Sequence, residues 1–101
     1  METFAEGLAT RVPFELPQEI MREHLDDFIL VSDDEIRSAI VAMIATTRNL
    51  VEAAGAASLA GALRVRERLA GKRVALVCSG GNISPAQLGE VLAHAGAARP
   101  V

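Results

Sequence analysis

Residues 74–92, VALVCSGGNISPAQLGEVL, run from an unbroken apolar stretch through small and polar residues into an amphipathic pattern. The apolar stretch, about residues 73–78, predicts a buried β-strand. Ser84 and Pro85 are suited to the N-cap and the first position of a helix. The tetrapeptide SGGN at 79–82 is therefore a strand-to-helix turn, and its glycines let the backbone come close to a neighbouring group.

A second apolar run, within DDFILVS, predicts another buried strand at about residues 27–31. Ser32 and Glu35 have the spacing of a capping box, which starts a helix. The predicted apolar face of that helix follows at spacings of three and four: Ile36, Ala39, Ile40, Met43, Ile44 and Thr47. Val41 and Ala42 widen the apolar arc, so we expect this helix to be covered on more than one side.

The remaining segments are less regular. Residues 1–17 show no clean period and are predicted to be loop, and Gln18 to Leu25 is predicted to be a short helix. Residues 53–63, AAGAASLAGAL, are almost all small and predict a helix, although Gly55 and Gly61 each cost roughly 1 kcal/mol relative to Ala in a helix interior. Such glycines indicate that a neighbouring backbone or a ligand comes close.

These elements predict an α/β fold with two buried strands, about 27–31 and 73–78, and flanking helices. Strands that are continuous apolar runs are typical of parallel sheets covered on both faces. In a sheet of only two strands, each strand would have one edge without a hydrogen-bonding neighbour. We therefore expect a partial three-layer domain that belongs to a larger, mostly parallel sheet.

Composition excludes several classes of protein. The chain has 101 residues and a net charge of −3, which allows one modest domain and makes nucleic acid an unexpected partner. The N-terminal residues lack the order of a signal peptide, and no apolar run approaches the ~20 residues of a membrane span. We expect a cytoplasmic chain without a membrane partner. Cys78 alone builds neither a disulfide framework nor a multi-cysteine metal site, and we interpret it as core packing. No metal ligands are predicted.

Considered alone, the turn at 79–82 is a candidate anion site, because exposed N–H groups at a helix start favour negative charge. It has neither the spacing of a dinucleotide fingerprint nor the Lys-Ser/Thr of a P-loop. A tight strand-to-helix turn with a helix cap is the simpler interpretation of these residues by themselves.

Four segments in order carry a resemblance to a known family: ETFAEGLA (2–9), IMREHLDDFILVSDDEI (20–36), NLVEAAGAASLAGAL (49–63) and GKRVALVCSGGNIS (71–84). They are similar to the C-terminal part of the catalytic domain of threonine dehydratase. That enzyme is one of the pyridoxal-phosphate (PLP) enzymes of tryptophan-synthase-β type, which include serine dehydratases and serine racemase. The resemblance implies that the whole chain, residues 1–101, is a C-terminal fragment of such a domain.

The resemblance also implies roles for five residues in cofactor binding. Ser79 would hydrogen-bond the pyridine nitrogen of PLP, and the backbone of Gly7 would lie against one face of the ring. Glu52 would lie near the pyridine edge, although a carboxylate favoured by the start of the following helix also explains it. Gly80 and Asn82 complete the motif, and Asn82 is expected to brace the turn.

The family reaction also needs a lysine that binds PLP covalently and moves the α-proton. The only lysine of this sequence, Lys72, lies in AGKRV and does not match that motif. The loops that contact the cofactor hydroxyl and the phosphate are not found either. We therefore expect no catalytic residue, no retained PLP and no dehydratase activity from this chain alone.

Three functions follow in order of preference. The first is a fragment of a PLP-dependent threonine or serine dehydratase, whose parent converts L-threonine to 2-oxobutanoate and ammonia. The second is a non-enzymatic assembly fragment, whose open sheet edge pairs with a second copy or with a complementing N-terminal catalytic half. The third is a small anion-binding α/β domain that uses the turn from Ser79 to Pro85.

Overall fold

A computed structural model describes residues 3–9 and 12–95 of the chain. The predictions made for residues 1, 2, 10, 11 and 96–101 lie outside the described residues. After a single 3₁₀ turn at Glu6–Leu8, the helices are α1 (Glu15–His24), α2 (Asp33–Thr47), α3 (Ala53–Arg64), α4 (Arg66–Leu69) and α5 (Pro85–Ala95). None of the helices in this part of the chain is long and apolar enough to cross a membrane.

The α/β prediction was wrong in its central element. Within the described residues there is no β-strand and no sheet: both 27–31 and 73–78 lie outside regular secondary structure. A strand is defined by ladder hydrogen bonds to a neighbour, and neither segment has such a neighbour here. Nor are they buried, because Phe28, Leu30 and Val77 are 73%, 76% and 78% exposed.

Both segments nevertheless contact α3. The Ser58 hydroxyl donates to the Val77 carbonyl at 2.9 Å. A side chain at Gly61 would meet the Ile29 Cδ1 at 3.5 Å, an ordinary contact distance. The glycine-containing face of α3 thus lies against the two segments, which confirms the prediction that a neighbour comes close to it.

The predicted helix starts are confirmed in detail. At α2 the Glu35 N–H donates to the Ser32 hydroxyl at 3.1 Å, and the Ser32 N–H donates to the Glu35 carboxylate at 2.9 Å. At α5 the same reciprocal pair forms between Ser84 and Gln87, both bonds being 3.1 Å long. Each pair satisfies two N–H groups that a helix start otherwise leaves without partners.

The first long helix begins earlier than its prediction, at Glu15 instead of Gln18. Pro17 is accommodated because it stands in the first turn, where a backbone N–H would have no helical partner. The sequence pattern places Pro17 in a loop. The helix starts three residues earlier than predicted because proline is tolerated in the first turn of a helix.

The core is small and lies where α2 meets α3 and α5. Ile36, Ala39, Ile40 and Ala42 are the buried residues of α2. This confirms the prediction that α2 is covered on more than one side. The other buried apolar residues come from α3, α5 and two segments outside the helices: Ala53, Ala56, Ala60, Val91, Ala5 and Val51.

Polar contacts fasten the N-terminal segment and α5 to α2. The Thr3 hydroxyl donates to the Asp33 carboxylate, and the Arg37 guanidinium lies 4.5 Å from the centroid of the Phe4 ring. Arg37 also pairs with Glu90 of α5 at 3.0 Å. These contacts hold the segment that contains Gly7 in a defined place.

The capping box at α2 should make stability depend on pH. The N–H of Ser32 and the nearby Arg64 guanidinium lower the pKa of Glu35. A carboxyl with a lowered pKa in the folded state stabilises the fold above its unfolded pKa, and this stabilisation is lost as the pH falls through the folded value. We expect the urea midpoint to fall in the acid range below the ordinary glutamate pKa of about 4.3.

The measurement is urea unfolding at a series of pH values for the unmodified chain and for Glu35→Gln. The variant should be less stable at neutral pH and should lose part of the acid dependence. Glu19→Gln, which changes an exposed carboxyl of α1, should keep the full dependence. If the urea midpoint falls equally steeply with decreasing pH in the unmodified chain and in Glu35→Gln, Glu35 does not contribute to the acid dependence.

Candidate functional site

The turn at 79–82 is docked on the segment that begins α3. The Glu52 N–H donates to the Gly80 carbonyl at 3.1 Å. A side chain at Gly55 would collide with the Gly80 carbonyl oxygen, and one at Gly81 would come within 2.8 Å of the Leu50 carbonyl oxygen. Because real Cβ atoms do not approach other atoms so closely, backbone-to-backbone contact here requires glycine.

Glu52 lies against the turn and near the Gly7 segment. Its Oε1 lies against Gly80, where a Cβ would collide with it, and its Oε2 lies 3.9 Å from the Cβ position of Gly7. Gly7 is also close to α3, since a Cβ there would lie 2.9 Å from the Cβ of Ala54. The structure therefore brings together three of the five predicted site residues: Gly7, Glu52 and Gly80.

Asn82 joins the same region through a small cavity of about 20 Å³. The cavity lies between the N-terminal segment, the start of α3 and the start of α5. Its lining residues are Phe4, Glu6, Glu52, Ala53, Asn82, Ile83 and Gln87. This volume is about that needed for one water molecule, and the four polar side chains in the lining supply hydrogen-bonding groups.

Ser79 stands next to this cluster with an exposed side chain. Among the described residues no hydrogen bond to its hydroxyl is found. Ser79 is held in place by its chain neighbour Gly80, whose carbonyl accepts from the Glu52 N–H. Cys78 is exposed, so its interpretation as core packing was wrong, because the expected sheet does not form around it. Its Sγ lies 3.3 Å from the Cβ position of Gly55.

Two contributions to the site were missed from the sequence. Gly55 was recognised only as a close-approach position, without the turn as its neighbour. Gln87 completes the capping box that holds the α5 start beside the turn. The spacing S-x-x-Q at 84–87 was the signal for it.

A larger open groove of about 700 Å³ lies elsewhere, between α2, α3 and α4. Ion pairs occur beside it: Arg64 with Glu35 at 2.6 Å, and Arg68 with Asp27 at 3.1 Å. None of the five predicted site residues lines this groove. In the part of the chain that the structure describes, no group of three or more His, Cys, Asp or Glu could hold a metal ion.

The structure thus docks a glycine-rich turn beside a second glycine segment and a carboxylate. The family model described as pyridoxal-phosphate dependent enzyme matches residues 1–80. The chain belongs to this family of pyridoxal-phosphate dependent enzymes.

Within the family the resemblance to threonine dehydratases is confirmed. An L-threonine ammonia-lyase of Geobacter sulfurreducens is 45% identical over 82 residues, which are 80% of this chain and 20% of the relative. The catabolic L-threonine dehydratase TdcB of Escherichia coli is 34% identical over 91 residues, 88% of this chain and 28% of the relative. An L-threonine ammonia-lyase of Thermotoga maritima is 36% identical over 81 residues, 80% of this chain and 20% of the relative.

The chain thus spans between 20% and 28% of the length of these curated relatives. The residues present fit a planar cofactor in one respect that the geometry shows. The Ser79 hydroxyl is exposed and, among the described residues, has no hydrogen-bond partner, so it is available to the ring nitrogen of such a cofactor. The space beside Gly80 is filled by the Glu52 carboxylate, and the space beside Gly7 lies against the Cβ of Ala54.

Proposed function

We propose that this chain supplies one wall of the PLP site in a threonine or serine dehydratase. The observation that carries the proposal is the position of the Glu52 side chain, which lies against Gly80 and near Gly7 and so marks where two glycine segments far apart in sequence come together. The family membership and the threonine dehydratase relatives support the same conclusion.

In this proposal each residue acts toward the cofactor by position. Ser79 donates its exposed hydroxyl to the pyridine nitrogen. Gly7 presents its backbone to one face of the ring, and Gly80 allows the turn to pack closely beside Ser79. Asn82 braces the turn, and Glu52 lies at the pyridine edge. PLP supplies an electron sink that assists removal of the α-proton and loss of the β-hydroxyl. The corresponding reaction of the whole enzyme converts L-threonine to 2-oxobutanoate and ammonia.

We further propose that the chain neither retains PLP nor catalyses this reaction alone. Covalent binding of PLP needs a lysine amine, and Lys72 is the single lysine of the sequence. It follows α4 in an exposed turn. Its N–H donates to the Leu69 carbonyl at 3.0 Å, and it lines neither the small cavity nor the large groove.

The segments 27–31 and 73–78, which lie outside regular secondary structure, support the presence of a partner chain. Phe28 and Leu30 expose their side chains, as does Val77, and exposed apolar patches of this kind mark interaction surfaces. We propose that the rest of the catalytic domain packs against these segments and covers their exposed apolar side chains. The alternative is that a second copy of this chain covers the same apolar surface. A cytoplasmic location remains our expectation for the assembled enzyme.

The test grafts this chain into the Geobacter sulfurreducens L-threonine ammonia-lyase in place of its matching segment. The chimera should bind PLP, seen as its absorbance band, and should release 2-oxobutanoate from L-threonine. Ser79→Ala should weaken PLP binding by about tenfold, the value of one lost hydrogen bond. Ser38→Ala, at an exposed serine of α2, is the matched control and should bind like the unmodified chimera.

A chimera that folds without binding PLP would contradict the proposal. The free chain, mixed with PLP and passed over a gel-filtration column, should carry no cofactor. Self-association without cofactor would favour an assembly function, whereas a monomer that binds inorganic phosphate would favour an anion-binding domain.

A further inference from the structure

The side chain of Glu52 is held in an unusual way for a half-buried carboxylate. Its Oε1 contacts Gly80, and its Oε2 lies 3.9 Å from the Cβ position of Gly7. Its backbone N–H donates to the Gly80 carbonyl at 3.1 Å. One residue therefore lies between the two glycine segments of the site: its side chain is near Gly7, and both its side chain and its main chain contact the turn at Gly80.

Neither charge pairing nor helix capping explains this arrangement. Glu52 is the N-cap of α3, but its side chain makes no capping hydrogen bond. Across residues 3–9 and 12–95, no ion pair or side-chain hydrogen bond of Glu52 is found. The carboxylate is placed by packing against Gly80, which has room for it only because Gly80 has no Cβ.

We propose that Glu52 is a positioning residue whose side chain sets the separation between the Gly7 segment and the turn at 79–82. A side chain of this length fills the space between the two backbones. A shorter side chain would leave a gap between the two backbones. Groups separated by such a void lose their attractive van der Waals contacts, so the two segments would be held less firmly. The relevance of this separation for PLP rests on the proposed function, whereas the separation itself is a property of the free chain.

The experiment measures amide hydrogen exchange of the free chain for Glu52→Ala, Glu52→Gln and the control Glu19→Ala. Loss of the spacer should raise exchange at Leu8 and Ile83, whose N–H groups donate within the two segments to the Ala5 and Gly81 carbonyls. We expect an increase of about tenfold in Glu52→Ala, because exchange at these positions follows local opening of the two segments. Glu52→Gln keeps the length of the side chain and should stay within about twofold of the unmodified chain.

The pattern across the molecule separates positioning from general stability. Exchange at Ile36 and Leu88, in the first turns of α2 and α5, should stay unchanged in every variant. An increase there equal to that at Leu8 and Ile83 would overturn the proposal, as would equal effects of Glu52→Ala and Glu52→Gln. If Glu52→Ala does not fold, Glu52→Asp takes its place. The aspartate is one methylene shorter and should loosen the two segments while glutamine does not.

A double-mutant comparison adds an independent readout. Gly80→Ala alone places a Cβ against the Glu52 carboxylate and should lower the Tm. In the Glu52→Ala background the same substitution meets no carboxylate, so its Tm loss should be at most half as large. Equal losses in both backgrounds would show that the two residues do not contact each other. Because none of these measurements uses PLP, their failure is distinguishable from failure of the chimera to bind the cofactor.

Discussion

Replacing Gly55 with alanine should lower the free energy of unfolding by about 2–3 kcal/mol, the usual cost of overpacking a filled site. The added Cβ would collide with the Gly80 carbonyl oxygen and would lie 3.2 Å from the Gly80 nitrogen and 3.3 Å from the Cys78 Sγ. Two of these atoms belong to backbone and cannot rotate away. The gain in helix propensity, about 1 kcal/mol, offsets only part of the cost.

Thermal unfolding followed by circular dichroism checks this prediction, and the expected fall in Tm is about 10–20 °C for a chain of this size. Gly89→Ala is the matched control, because this glycine is also in a helix and nothing lies within 4 Å of its Cβ position. The control should raise stability by about 0.5–1 kcal/mol. If both substitutions stabilise the chain, the turn does not pack on Gly55 as described.

In the Gly55→Ala chain we also expect the turn to move away from α3. The hydrogen bond from the Glu52 N–H to the Gly80 carbonyl should then weaken. A chimera with this substitution should therefore bind PLP less tightly, even though Gly55 is not one of the proposed cofactor-binding residues.

Replacing Ile40 with alanine should cost about 3–4 kcal/mol, within the range for large-to-small core substitutions. Ile40 is fully buried in α2, and with Val91 of α5 it is one of the largest fully buried side chains. Removing its branched side chain leaves a cavity between helices that carry most of the small core. Since total stability of a domain is only about 5–15 kcal/mol, this loss is a large fraction.

Urea unfolding with linear extrapolation measures the effect. Ile40→Val, which removes one methylene, should cost about 1 kcal/mol. Leu92→Ala in α5 removes as many carbon atoms as Ile40→Ala. Because the Leu92 side chain is 49% exposed, its cost should be below about 0.5 kcal/mol. A cost for Ile40→Ala as small as that for Leu92→Ala would mean that α2 does not form the centre of the core.

Local rules were sufficient for the starts of α2 and α5. Ser32 with Glu35 and Ser84 with Pro85 were recognised from residue type and spacing, and each pair stands at a real helix start. The spacing of apolar residues in α2 identified its buried face, including Ile40. These predictions succeed because capping and helical periodicity depend on residues within one or two turns of each other.

The same local reasoning failed for 27–31 and 73–78. Their apolar runs are typical of buried strands, but strand formation depends on hydrogen-bond partners that lie elsewhere in sequence. In the described residues these partners are not provided, so the segments lie outside regular structure and expose Phe28 and Val77. Pattern alone identified segments suited to a sheet and could not establish that the sheet forms within this chain.

The sequence by itself determined the starts of α2 and α5, the amphipathic face of α2 and the family of the chain, because these depend on local spacing and residue identity. Only the tertiary structure decided that Glu52 lies between Gly7 and Gly80, and that Gly55 admits the turn. Those contacts join residues separated by 25 or more positions in the chain. Their distances follow from how α3 packs against its neighbours, and no local pattern carries that information.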